Sequence, residues 1–278
     1  MKLLGMKKSF YSSWLTISFV LLAVLSIANI QPAYGENDVG KRLFTANCAV
    51  CHGEKGDSLG QVMFNDRIDE DGKLSRTYPR DFTGGVFKFR TTPSGCLPVD
   101  TDVLRIISTG IPKSLMPSFN HLSTDKKMAL LGYVKKFSTR WTEEPPCNAV
   151  TMSKPSWLGS PQSVAKGEKI YKDMKCFECH GDTGKGDGLK SDKLKDELGH
   201  PIYPFNFTSG ELKRGATPED IYITFSTGMD GTPMPSFADS LNEESRWDLV
   251  SYTMTLMKAG ISPQTSQVIN VKTSSAKK

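Results

Sequence analysis

The pentapeptide Cys48-Ala-Val-Cys51-His52 returns 128 residues later as Cys176-Phe-Glu-Cys179-His180, and its surroundings return with it. Gly40-Lys41-Arg42-Leu43-Phe44 precedes the first copy, and Gly167-Glu168-Lys169-Ile170-Tyr171 precedes the second. Tyr78-Pro79, Phe82-Thr83 and Thr92-Pro93 recur 125 residues on as Tyr203-Pro204, Phe207-Thr208 and Thr217-Pro218. Asp102-Val103, Ser108-Thr109-Gly110 and Met116-Pro117-Ser118-Phe119 recur at an offset of 118, as Asp220-Ile221, Ser226-Thr227-Gly228 and Met234-Pro235-Ser236-Phe237. Parts repeated in the same order at domain spacing mean a duplicated domain.

The drop in offset from 125 to 118 marks a seven-residue insertion, Ser94 to Asp100, in the first copy, and it carries Cys96. Trp141 to Pro161 has no counterpart inside a repeat, is rich in Pro and Ser, and reads as a linker carrying Cys147. Helical patterning covers Val39–Asn47 before the first motif. It also covers Asp125–Phe137 behind a Ser123-Thr124 cap, and Glu243–Met257 behind Asn242. No convincing run of alternating strands separates them. Each repeat is expected to contain an N-terminal helix, the Cys-His motif, a long loop bearing Met, and a C-terminal helix.

C-x-x-C followed directly by His is the attachment signature of a c-type haem. Two thiols add across the vinyl groups, and the adjacent imidazole reaches the iron. Zinc would need four protein ligands at matching spacings, and neither half offers a second C-x-x-C or paired His. Two covalently bound haem c groups are therefore expected, on Cys48 and Cys51 and on Cys176 and Cys179, with His52 and His180 as proximal iron ligands. The carbonyl that should fix each imidazole stays unassigned, because neither Gly53–Gly60 nor Gly181–Gly188 contains a Pro.

On these motifs, together with Met116-Pro117 and Met234-Pro235, the chain over roughly residues 36–260 resembles a dihaem cytochrome c built from two class I cytochrome c domains. The resemblance implies an all-α fold, with each domain wrapped around one haem. Its N- and C-terminal helices would cross at Gly40/Phe44 and Gly167/Tyr171. It also implies Met116 and Met234 as the distal ligands of haem 1 and haem 2. Met229 competes in the second half, but its counterpart is Ile111, which cannot bind iron. His121 and His200 lack equivalents in the other repeat and read as surface or loop residues. Thioether ligation fills the sixth site and raises the potential relative to two imidazoles.

Domain boundaries follow. Residues 1–35 are a signal peptide or an uncleaved anchor: Lys2, Lys7 and Lys8 precede an apolar stretch, and Ala33-Tyr34-Gly35 offers a cleavage site before Glu36. Residues 36–140 are the first cytochrome c domain, 141–161 the linker, 162–260 the second, and 261–278 a flexible polar tail. The expected location is periplasmic or otherwise extracytoplasmic. There, the two leftover cysteines, Cys96 and Cys147, are expected to pair. The alternative is Cys96 as an axial thiolate, which some sulfur-oxidising dihaem cytochromes use.

The whole chain is +5, and losing the leader removes three lysines and no acids, leaving +2. Near-neutrality gives no support to nucleic-acid binding. The expected activity is one-electron relay in a respiratory chain, between a redox protein donor and acceptor. The relay would be a soluble shuttle or a subunit of a larger redox complex, associated with a membrane respiratory complex. The rival is an enzyme of the peroxidase or thiosulfate dehydrogenase type. It needs an open or displaceable sixth site with an acid-base group above it, and matching Met-Pro motifs in both halves argue against that.

Overall fold

The structure is a computed structural model, and it describes residues 36–62, 65–68 and 74–259. The leader and the polar tail lie outside the described residues. The described architecture is all-α and duplicated. The first half runs α1 (Glu36–Asn47), α2 (Ala49–His52), α3 (Asp100–Thr109) and α4 (Thr124–Val134), with a 3₁₀ turn Lys135–Phe137 extending α4 and a short α5 (Arg140–Glu143) behind it. The second half runs α6 (Pro161–Asp173), α7 (Phe177–His180), α8 (Pro218–Thr227) and α9 (Glu243–Ala259).

In each half the N-terminal helix crosses the C-terminal one, α1 over α4 and α6 over α9. Glycine at the crossing makes the approach possible. A Cβ on Gly40 would sit 2.1 Å from the Ala129 carbonyl oxygen, and one on Gly167 would sit 2.0 Å from that of Asp248. One turn further along, Phe44 and Tyr171 are buried in their respective cores. Burial of a ring of this size contributes about 1.5–3 kcal/mol. Around Phe44 pack Val103, Ile107, Leu130, Leu131 and Val134. Around Tyr171 pack Ile221, Tyr222, Trp247, Leu249 and Val250.

The expected caps form. Ser123 Oγ accepts the Lys126 N–H, and Asn242 Oδ1 accepts the Ser245 N–H at 2.8 Å. Two features depart from the sequence expectation. The Met-bearing segment is not all loop: α3 and α8 lie within it. They bury Val103 and Ile107, and Ile221 and Phe225, at one-turn spacing. Asp102 steadies α3 by accepting Thr91 N–H at 2.8 Å, and Thr217 caps α8 by accepting the Asp220 N–H at 3.1 Å. The first half also has a short antiparallel hairpin, β1 (Asn65–Ile68) and β2 (Leu74–Thr77), with Asn65 opposite Thr77 and Ile68 opposite Leu74. Four-residue strands carry too little alternation to be visible in a sequence.

The halves are joined by polar contacts at buried positions. Arg90 is fully buried; its guanidinium donates to the Thr227 carbonyl at 2.8 Å and pairs with Asp230 at 2.7 Å. Arg214 returns a bond to the Arg90 carbonyl at 2.9 Å. Tyr78 of one half stacks on His200 of the other, with ring centroids 3.7 Å apart. The linker is docked too. Val150 N–H bonds to the Thr91 carbonyl at 2.7 Å while its side chain packs on the second core. Cys96 and Cys147 form a disulfide with Cα atoms 6.2 Å apart, so the insertion is tied to the linker.

Candidate functional site

Each Cys-His motif is a single short helical turn. His52 N–H bonds to the Cys48 carbonyl at 2.8 Å, and His180 N–H to that of Cys176 at 2.9 Å. A three-residue spacing on such a turn puts both thiols of a pair on one face. The chain then leaves sharply through Gly53 and Gly181, both at φ +76°, where any side chain would run into Asp57 or Asp187.

The imidazoles are fixed from behind. His52 Nδ1 lies 2.9 Å from the Arg80 carbonyl oxygen, and His180 Nδ1 lies 3.4 Å from that of Phe205. A carbonyl only accepts, so Nδ1 carries the proton and Nε2 keeps its lone pair. Phe82 stacks on His52 at 4.5 Å and Phe207 on His180 at 4.6 Å. Burial pushes both imidazole pKa values down, that of His180 to about 4, so the rings are neutral. Sequence reasoning left the carbonyls unassigned, yet its own repeat contained the signal. Arg80 and Phe205 are the residues directly after the duplicated Tyr-Pro, and Phe82 and Phe207 begin the duplicated Phe-Thr.

Burial, with a smaller push from Cys51, raises the Cys48 thiol to about 11, and burial raises Cys176 to about 11 as well. Protonated thiols of this kind are unlike the low-pKa pairs of dithiol oxidoreductases. Among the described residues no group of three or more His, Cys, Asp or Glu side chains could hold a metal ion.

Met116 and Met234 sit in loops of one design. Ile111 N–H bonds to the Met116 carbonyl at 3.1 Å and Met229 N–H to that of Met234 at 3.0 Å. Ser114 Oγ and Thr232 Oγ1 accept the two Met N–H groups. Ser118 Oγ closes the first loop on the Ser108 carbonyl at 2.5 Å, and Ser236 Oγ closes the second on Ser226 at 2.7 Å. The duplicated Met-Pro-Ser-Phe and Ser-Thr-Gly segments are thus the two ends of one clasp.

All eight predicted site residues, Cys48, Cys51, His52, Met116, Cys176, Cys179, His180 and Met234, line a single continuous cavity of about 500 Å³. Its remaining wall is largely aromatic and aliphatic, with Phe44, Phe82 and Phe119 from one half and Phe207, Phe225 and Phe237 from the other. Arg80, Lys88, Lys213 and Arg214 also line it. The groups present are those that could hold covalent haem: a thiol pair, a neutral imidazole with Nε2 free, a thioether and an apolar wall. Met229 and Ile111 reach the cavity, whereas His121 and His200 do not. Cys96 does not line it and its sulfur is bonded to Cys147, which leaves no place for it as an axial thiolate.

Fold and site together define two tandem cytochrome c domains. The family whose description reads cytochrome c oxidase, cbb3-type, subunit III matches this chain twice, over residues 35–134 and 162–252, and the chain belongs to that family. Cytochrome c domains carry covalently bound haem c and serve electron transfer. Among solved structures, the chain is similar to one from the Kuenenia stuttgartiensis reducing HAO-like protein complex Kustc0457/Kustc0458. The two share 39% sequence identity with a TM-score of 0.72, over 79% of this chain and 96% of that one. Among curated proteins no significant relative was found.

Proposed function

We propose that this chain is an exported dihaem c-type cytochrome that relays single electrons as a subunit of a larger redox complex. Cys48 and Cys51 would attach haem 1, with His52 and Met116 on its iron. Cys176 and Cys179 would attach haem 2, with His180 and Met234. When bound, each haem iron moves between ferric and ferrous states by one electron. The protein residues hold the imidazole in its Nδ1–H tautomer, clasp the thioether in its loop and keep water from the ring. The observation that carries the reading is the single cavity reaching from one Cys-Cys-His-Met set to the other, since an electron relay needs its two centres close together.

The similar chain from Kuenenia stuttgartiensis belongs to a protein complex, which favours a complex subunit over a free shuttle. The family description, naming a subunit of an oxidase, points the same way and supports association with a membrane respiratory complex. Domain bounds of 36–140 and 162–260 follow the repeat. Location outside the cytoplasm follows from the leader pattern, and the Cys96–Cys147 bridge supports it.

The enzyme reading differs in one testable respect, a sixth site open to small ligands. The holoprotein should contain two haems per chain by alkaline-pyridine spectroscopy, and its reduced spectrum should hardly change under carbon monoxide. Met234→Ala should open haem 2 alone to carbon monoxide. Strong binding by the native protein would overturn the relay, and an unchanged spectrum in the variant would remove Met234 as a ligand.

A further inference from the structure

Arg80 and Phe205 are repeat equivalents, offset by 125, and Lys113 and Gly231 are equivalents in the two Met loops, offset by 118. The main chains of Arg80 and Phe205 serve their own halves, since their carbonyls accept from His52 Nδ1–H and His180 Nδ1–H. Their side chains serve the opposite halves. The Arg80 guanidinium crosses to the Glu197 carboxylate. Glu197 in turn donates its N–H to the Gly231 carbonyl at 3.1 Å. Its carboxylate also lies against Gly231, where an added Cβ would come within 2.5 Å of Oε1. Gly231 stands three residues before Met234, inside the loop that Met229 N–H closes on the Met234 carbonyl. In the reverse direction the Phe205 ring carries the Lys113 ammonium at 5.5 Å, and Lys113 stands three residues before Met116. Lys113 has a left-handed backbone, φ +56°, where Gly231 has φ +76°. Lysine is strained in this conformation and glycine is not, so the contact over the ring offsets a cost that the second loop does not carry.

We propose that Arg80 with Glu197, and Phe205 with Lys113, are crossed struts: each residue whose carbonyl fixes the proximal imidazole of one haem also positions the Met loop of the other. The proposal rests on the two-haem, His/Met reading. The struts are positioning residues, acting on iron through Met234 and Met116. They are unequal. Arg80 reaches its loop through an ion pair and a hydrogen bond, Phe205 through a single cation–π contact, so haem 2 depends on its strut more than haem 1 does. A firmly held thioether favours ferrous iron, so a released loop lowers the potential of its haem. Sign separates positioning from charge. E197Q removes a negative charge, which on electrostatic grounds alone favours ferrous iron and raises both potentials. Release of the second loop acts the other way, and on haem 2 alone.

The test is a spectroelectrochemical titration of the full-length holoprotein carrying E197Q, after haem content has been measured. Each haem is followed by the proton resonance of its ligand methionine methyl in the reduced state, with haem 2 assigned by the loss of its resonance in Met234→Ala. A content other than two haems per chain, or a native protein without two such resonances, would overturn the two-haem, His/Met reading on which the struts rest. In E197Q the reduced-to-oxidised ratio of haem 2 at fixed poise should fall about tenfold, or 59 mV for one electron. Its methyl resonance should shift, with that of haem 1 left in place. Glu197→Asp keeps the charge but draws the carboxylate back from Arg80. It should move haem 2 in the same direction, and it decides the matter if E197Q loads no haem. Phe205→Leu, uncharged and with its carbonyl retained, should shift the methyl resonance of haem 1 by a smaller amount. Potentials that rise together in E197Q and stay native in Glu197→Asp would reduce Glu197 to a charge and overturn the strut. A Phe205→Leu effect confined to haem 2 would overturn the crossing.

Discussion

The two Met loops begin from one design and end in different surroundings. In the second half, the loop between Gly228 and Met234 is gripped by the first half. The Asp230 carboxylate takes the buried Arg90 guanidinium, Ser94 Oγ at 2.7 Å and the Gly95 N–H at 2.8 Å. Glu197, itself paired with Arg80, donates its N–H to the Gly231 carbonyl at 3.1 Å. In the first half, Pro112 and Lys113 stand where Asp230 and Gly231 stand in the second. Lys113 lies 5.5 Å over the Phe205 ring, and Leu115 is 55% exposed. Duplication thus supplied the clasp, and divergence decided which loop the partner domain holds shut. The second loop depends on the first half for its rigidity; the first loop is the more exposed of the two.

The disulfide is the strongest lever on that difference. Gly95, which holds Asp230, is next to Cys96, and Arg140 holds the Gly95 carbonyl at 2.7 Å from behind. The bridge spans 51 residues, and its loss should cost about 4 kcal/mol in the chain-entropy model. Cys96→Ser with Cys147→Ser should lower the denaturant midpoint accordingly, and the reduced spectrum should show carbon monoxide entering haem 2 before haem 1. Equal opening of both haems would mean that the insertion does not select the second loop. Asp230→Ala comes next. It leaves the fully buried Arg90 without its carboxylate, a change that costs about 3 kcal/mol. Reduction midpoints of the two haems should respond unequally, because only the second loop is released. Pro112→Ala, at the matching place, should leave both unmoved.

How much of this could be read from the chain depends on which interactions repeat. The paired motifs, the helix crossings at Gly40 and Gly167, and the Met loops each have a copy 118 to 128 residues away, so the sequence compares itself. Even the carbonyls behind the imidazoles were within reach, since Arg80 and Phe205 each follow a duplicated Tyr-Pro. What the repeat could not announce is what occurs once. Arg90 has Gly215 as its equivalent, Asp230 has Pro112, and the hairpin Asn65–Thr77 is too short for a pattern to emerge. Contacts across the halves join residues more than a hundred positions apart, such as Arg90 with Thr227. No local periodicity encodes such pairs. Parity and compartment did point to the Cys96–Cys147 pairing, because a covalent partner is chosen from a very short roster of thiols.

The smallest difference is also the cleanest to test. Phe44 and Tyr171 occupy the same place under the helix crossing, both buried, and differ by one hydroxyl. The Tyr171 hydroxyl donates to the Gly181 carbonyl at 2.6 Å, tying α6 to the residue directly after His180. Burial pushes its pKa well above the ordinary tyrosine range, so it stays a donor at any working pH. Tyr171→Phe makes the second half resemble the first at this point. It removes one neutral hydrogen bond and leaves the Gly181 carbonyl with one partner fewer, a loss of about 1 kcal/mol. Thermal denaturation should report that loss, with haem 2 released slightly earlier than haem 1. Since the first half holds its motif without any such bond, haem attachment at Cys176 and Cys179 should be complete in the variant. A variant that failed to attach haem 2 would show that this hydroxyl positions His180 during attachment, a duty that no residue at position 44 performs for His52.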